Sequence, residues 1–185
     1  MKRIIPVLVL CLLFVGCSGQ RAELDRAMAL RAKMLSQPIA FDAVITADYG
    51  DKTYTFRAGC QADAKGNLTF TVQEPQSISG ITGRISESGG KLTFDDKALS
   101  FPLLADDQRS PVAAPWVLIR TLRSGYLTSC ALEGGRLRIA VDDSYQSDAL
   151  HLDIWLDDED IPCRCEILWQ GRRILSLSVE NFTFV

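Results

Sequence analysis

From Phe41 onward the apolar residues of this chain recur at every second position, in short runs cut by turn residues. A period of two places the apolar side chains of a run on one face, which is the pattern of a half-buried strand. Phe41, Ala43, Ile45, Ala47 and Tyr49 form the first run, and Gly50-Asp51 turns the chain. Tyr54, Phe56, Ala58 and Cys60 form the second. Ala64-Lys65-Gly66-Asn67 turns it again into Leu68, Phe70 and Val72. Successive strand–turn–strand signals of this kind predict an antiparallel meander. Gly80 to Ile85, Lys91 to Phe94 and Leu99 to Phe101 extend it, with Gly89-Gly90 and Asp95-Asp96 as turns.

Two stretches break the period. Arg21 to Ser36 lacks Gly and Pro and is rich in Ala, Leu, Arg and Lys. Leu24, Met28 and Leu35, with Ala27 and Met34, fall at helical spacings, and Pro38 ends the stretch. The alternation stops at Leu103 to Ser110. Ser110-Pro111 then has the form of a helix N-cap followed by Pro in the first turn. Pro115 to Arg123 carries Trp116, Val117, Ile119 and Leu122, and Gly125 is placed to stop it. The alternation resumes at Tyr126 to Leu132, Arg136 to Val141, Ala149 to Leu156, Ile161 to Trp169 and Arg173 to Val185. The expected fold is therefore mainly β (α+β): an unclosed antiparallel barrel of about 11 strands, with an N-terminal helix and a mid-chain helix as plug or lid. An apolar sheet face of this length must be covered.

The N-terminus reads as an export signal. Lys2 and Arg3 precede an apolar run from Ile4 to Val15, too short for a membrane span and of the length of a signal-peptide core. Small Gly16 directly before Cys17 resembles the bacterial lipobox, with Phe14 where Leu is usual. The resemblance implies residues 1–16 as a cleaved signal peptide, lipidation of Cys17, a short tether over residues 17–20 and one domain over residues 21–185. More than one acyl chain on Cys17 would hold the protein stably on the extracytoplasmic side of a bacterial membrane. Ser18 follows the cysteine where an Asp would signal inner-membrane retention, so the outer membrane of a Gram-negative envelope is open to it.

Charge and chemistry exclude several functions. The apolar share of 47% rules out disorder, and the net charge of −3 leaves no electrostatic footprint for nucleic acid. The chain has one histidine, His151, expected to point outward from its strand, so a multi-His metal centre is excluded. There is no nucleophile elbow, P-loop or G-x-G-x-x-G, so neither an enzyme nor a cofactor is expected. The Asp pairs lie in turns, where Asp bonds local amides. Cys60, Cys130, Cys163 and Cys165 are all expected on the apolar face, Cys163 and Cys165 on the same side of one strand. Buried thiols and a disulfide bridge are both open readings for an exported chain. The C-x-C spacing argues against zinc.

The remaining signal is the inner face: Phe41, Ile45, Phe56, Phe70, Ile85, Phe94, Ile154, Ile167, Trp169 and Leu177, with Trp116 and Ile119 of the second helix. These residues fill a core, or they line a half-open barrel that holds an acyl chain.

The order of elements resembles the LolA/LolB-like lipoprotein-carrier superfamily. Phe70-Thr71-Val72-Gln73-Glu74-Pro75 followed by Gly80-Ile81-Thr82-Gly83 is similar to its strand–Pro–strand step. Ile161-Pro162, Glu166-Ile167, Gly171 and Ile174-Leu175 before Asn181-Phe182 resemble its C-terminal hairpin. Carriers often have an Arg-Trp strand after the Pro, where this chain has Ser77-Ile78-Ser79-Gly80, and no lid-latching arginine carries over onto Arg57 or Arg84. The superfamily includes the Gram-positive, GerS-like germination lipoproteins. The resemblance implies a lipid or acyl-chain ligand in a concave apolar face, or else a filled core whose surface docks an envelope or cell-wall protein.

Overall fold

In the computed structural model, residues 18–95, 97–101, 104–105 and 108–185 are described. The signal segment, Cys17, Asp96 and the Asp106-Asp107 pair lie outside them. The expected class holds: one sheet of eleven antiparallel strands carries both helices. The helix α1 (Ser18–Ser36) is followed by β1 (Ile39–Asp48), β2 (Thr53–Ala62), β3 (Leu68–Glu74), β4 (Thr82–Ser86), β5 (Gly89–Phe94) and β6 (Lys97–Phe101). A small two-stranded sheet, β7 (Leu104–Ala105) with β8 (Gln108–Arg109), precedes a 3-10 turn at Pro111–Ala113 and α2 (Ala114–Ser124). Then come β9 (Tyr126–Glu133), β10 (Arg136–Asp142), β11 (Leu150–Leu156), β12 (Pro162–Trp169) and β13 (Arg172–Phe184). The order across the sheet is β6-β5-β4-β3-β2-β1-β13-β12-β11-β10-β9. Every sequential neighbour is a hairpin partner except β1 with β13, which joins the two halves. The edges β6 and β9 stay unpaired with each other, so the barrel is unclosed as expected.

The alternation determines the faces. Odd residues of β1, even residues of β2 from Phe56 and even residues of β3 up to Val72 are buried, and their neighbours are half-buried or exposed. Both helices join the core so formed. α1 contributes Ala27, Leu30 and Met34, and α2 contributes Trp116, Val117, Leu118, Ile119 and Leu122.

Two helix signals act differently from expectation. Ser110 precedes the 3-10 turn and makes no side-chain cap bond. Gly125 ends α2 in extended backbone, not in the left-handed conformation. Its lack of a side chain matters for room: a Cβ there would meet Thr121 O at 2.6 Å and Val141 Cγ1 at 2.7 Å.

Candidate functional site

The predicted inner-face residues are brought together. Phe41, Ile45, Phe56, Phe70, Ile85, Trp116, Ile119, Ile154, Ile167 and Leu177 are all buried in one continuous cluster, and Trp169 packs against it half-buried. Phe94 departs from expectation. It is 52% exposed, because it lies near the β6 edge, past the reach of α2. A cross-strand row shows where the cover ends. Cys60 faces Phe70, Phe70 faces Gly83, Gly83 faces Leu92, and Leu92 faces Leu99. Along that row burial falls from full at Cys60 and Phe70 to 64% exposure at Leu99. The apolar face therefore runs without interruption from the closed interior to solvent at the β5–β6 end. Gly83 is needed in this row, since a Cβ there would sit 2.4 Å from the Phe70 ring.

α2 lies over the rest of that face and is held at its ends by polar bonds. Trp116 Nε1 donates to Gly66 O at 3.1 Å, and Arg123 Nη1 donates to Asp63 O at 2.9 Å. Both acceptors belong to the β2–β3 turn. Asp63 orders that turn by accepting from the Lys65 and Asn67 amides and from Asn67 Nδ2. The Asn67 side-chain bond is the main reason the Asp63 carboxyl titrates below its ordinary value. At the C-terminal end, beside Arg123, Arg31 of α1 donates from Nε to Leu122 O at 2.7 Å and from Nη2 to Gly125 O at 2.9 Å. These are carbonyls that a helix C-terminus leaves unpaired. Burial lowers the pKa of both Arg31 and Arg123.

Arg120 Nε, Thr121 Oγ1, and Arg123 Nε and Nη2 are buried without a hydrogen-bond partner among the described residues. All four atoms belong to this one helix. Sequence reasoning missed Arg31 and Arg123, and no motif marks them. A long basic side chain inside an apolar helical pattern is the only signal, and it usually means snorkelling to water.

The opposite face is polar. There a shallow groove of about 700 Å³ runs across β1 to β5, lined by Asp42, Gln73, Arg84, Lys91 and Asn181 with a row of threonines. Asn181 Nδ2 donates to Asp42 at 2.8 Å. Arg57 pairs with Glu180 at 2.9 Å on this face, so neither Arg57 nor Arg84 holds α2. His151 is half-exposed on the outer side, as expected, with Nδ1 2.7 Å from Asp142.

The four cysteines are free thiols. Cys60, Cys130 and Cys165 are buried, and burial raises their pKa. Cys163 corrects the expectation of a shared side with Cys165. Trp155 faces Arg164 and Leu156 faces Pro162, so Cys163 is the extra residue of a bulge, and its thiol donates to Trp155 O. One inserted residue reverses which side a strand residue faces. Among the described residues no group of three His, Cys, Asp or Glu side chains could hold a metal ion, and no helix is long and apolar enough to cross a membrane.

No protein-family model and no curated protein matches the sequence. Among solved structures, the chain is similar to a conserved protein from Thermus thermophilus at 16% identity and TM-score 0.47, covering 89% of this chain and 86% of that one. It is also similar to a LolA superfamily protein from Nitrosomonas europaea, at 9% identity and TM-score 0.45, covering 86% and 93%. A third is the Mycobacterium tuberculosis lipoprotein LppX, at 10% identity and TM-score 0.42, covering 90% and 96%.

Proposed function

We propose that this chain is a non-enzymatic lipoprotein, held through Cys17 on the extracytoplasmic side of a bacterial membrane, that takes a lipid or acyl chain against the apolar face of its sheet beneath α2. The observation that carries this reading is the gathering on α2 of buried polar atoms without hydrogen bonds, at Thr121 and Arg123, whereas Arg120 Nε at least lies 3.8 Å from Glu87. Each such atom costs roughly 1–3 kcal/mol while the helix stays docked. The cost is relieved when α2 lifts and water reaches Thr121 and Arg123. An acyl chain is suited to the vacated face, because it gains about 0.8 kcal/mol per buried CH₂ and has no polar groups to satisfy. The uncovered row ending at Leu99 supplies the entrance. α2 is then a lid, latched by Arg31 on one side and the Asp63–Gly66 turn on the other.

The test is native mass spectrometry of the chain from Ser18, purified without detergent, beside a denatured spectrum. The expected result is extra mass that vanishes on denaturation and extracts as lipid. Leu99→Asn, a surface change, should lower that occupancy several-fold with an unchanged thermal melt. A lipid-free mass, together with no uptake of a fluorescent fatty acid, overturns the reading.

One observation favours a second reading. The inner-face residues already pack together, while the open polar groove lies on the other face. A filled-core protein would dock an envelope partner through that groove. Arg84→Glu with Lys91→Glu would then abolish capture of the partner from envelope extracts and leave lipid occupancy at zero throughout.

A further inference from the structure

The sequence pattern offers two apolar stripes on α1, and the structure uses one. Ala27, Leu30 and Met34 are buried against α2 and the sheet. Leu24, Met28 and Leu35 are 44%, 47% and 54% exposed. At 100° per residue these three share one side of the helix, roughly a quarter-turn from the buried stripe. Ala29 and Ala32 extend the exposed surface, and its charges are Arg21, Asp25 and Lys33. A solvated helix face normally carries many more charges than this. Arg26, at the margin, is taken up by Asp160 at 2.8 Å, and Arg31 by the end of α2. Among the described residues nothing covers the stripe.

The occupant follows from the place of the helix beside Cys17. Ser18, the residue after Cys17 and the first described one, already belongs to α1. Acyl chains on Cys17 would therefore hold this end of α1 at the bilayer surface. Leu24 and Met28 lie about two to three turns further on, within about 17 Å of that point at 1.5 Å per residue. We infer that the Leu24–Met28–Leu35 face of α1 lies in the lipid interface, with Arg21 and Lys33 toward the headgroups, and that it sets the orientation of the sheet on the membrane. This rests on the anchoring proposed for Cys17 and goes beyond it: the helix is a second membrane contact, not a tether. A single acyl chain binds only marginally, and an apolar helix face strengthens such attachment.

The test places the photo-crosslinker p-benzoyl-phenylalanine at Met28 of the full lipoprotein, reconstituted in vesicles of phosphatidylethanolamine and phosphatidylglycerol. The control position is Tyr54, which is similarly exposed on β2. We expect lipid adducts at position 28 in about tenfold excess over position 54. Changing Leu24 and Leu35 to Gln should remove that excess while the melt stays unchanged. Protein–protein adducts at position 28, or no adducts, overturn the inference; the former would make the stripe an interface between two copies. The mass of the mature N-terminus reports the anchoring separately. If Cys17 carries no lipid, the same crosslink on the chain from Ser18 mixed with these vesicles still decides the role of the helix, by adduct or by its absence.

Discussion

The two helices cover the same sheet and err in opposite directions. α2 buries nearly every side chain it has, including polar atoms it cannot pair. α1 leaves three large apolar side chains in solvent. A helix built only for stability would do neither, because buried unpaired donors and exposed apolar stripes both raise the free energy of the folded state. On the proposed reading each helix is arranged for a second state: α2 for one in which it has lifted, α1 for one in which lipid covers it. The bond between them, from Arg31 to the end of α2, is where the two roles meet.

Breaking that bond should give the largest effect. Arg31→Met keeps the aliphatic stem and removes both charged donors to Leu122 O and Gly125 O. The expected loss is about 2–3 kcal/mol. Under the lid reading it is local. Hydrogen exchange should quicken over Val117 to Leu122 and stay slow in β1 and β13, and fatty-acid uptake should become faster. An equal loss of protection across the sheet would make α2 permanent core and remove the contrast.

Arg123 should respond the other way, and more weakly. Arg123→Met deletes the donor to Asp63 O, but that carbonyl keeps the Gly66 amide as a partner at 3.0 Å. It also deletes two buried guanidinium nitrogens, Nε and Nη2, that have no acceptor among the described residues. Replacing an imperfectly satisfied buried cation by an apolar side chain is often neutral or stabilising. The expected change in a urea melt is a gain of about 1 kcal/mol or less, with slower acyl-chain uptake. A clear loss of stability would show that the guanidinium serves the closed state, and would weaken the case for a strained lid.

What was legible in the sequence follows the same division. The strands could be read because a period of two survives wherever one face is buried, so the hairpins and both helices stand close to where the pattern puts them. The shared burial of Phe41, Ile45, Phe56, Ile154 and Ile167 was legible for the same reason. Phe94 was not: its alternation is intact, but alternation reports a face, not whether anything covers it. Cys163 was not, because a one-residue bulge leaves no mark in composition. On α1 two stripes a quarter-turn apart are equally apolar, and nothing local chooses between Met34 and Leu35. The polar latches, Arg31 and Arg123, depend on carbonyls about 60 to 90 residues away in the chain, which no spacing rule reaches.

The smallest effect is a pH dependence, and it sharpens where the lid is held. Asp63 is exposed, but Asn67 and the local amides keep its folded pKa below the ordinary carboxylate value. A carboxyl whose pKa is lower when folded contributes stability above its unfolded pKa of about 3.9, and loses it as pH falls through the folded value. The β2–β3 turn should therefore loosen at the acid end of that range. Trp116 and Arg123 dock on this turn, so the far edge of α2 should loosen with it while β1 and β13 stay protected. Screening keeps the effect small at an exposed site. The check is hydrogen exchange of α2 from about pH 5 to about pH 3, beside Asp63→Ser, which cannot titrate. The wild-type chain should lose protection in α2 on acidification, and the variant should show a flat profile at the lower level. Parallel profiles for the two chains would place the docking energy of α2 in its apolar contacts alone, with the turn a bystander.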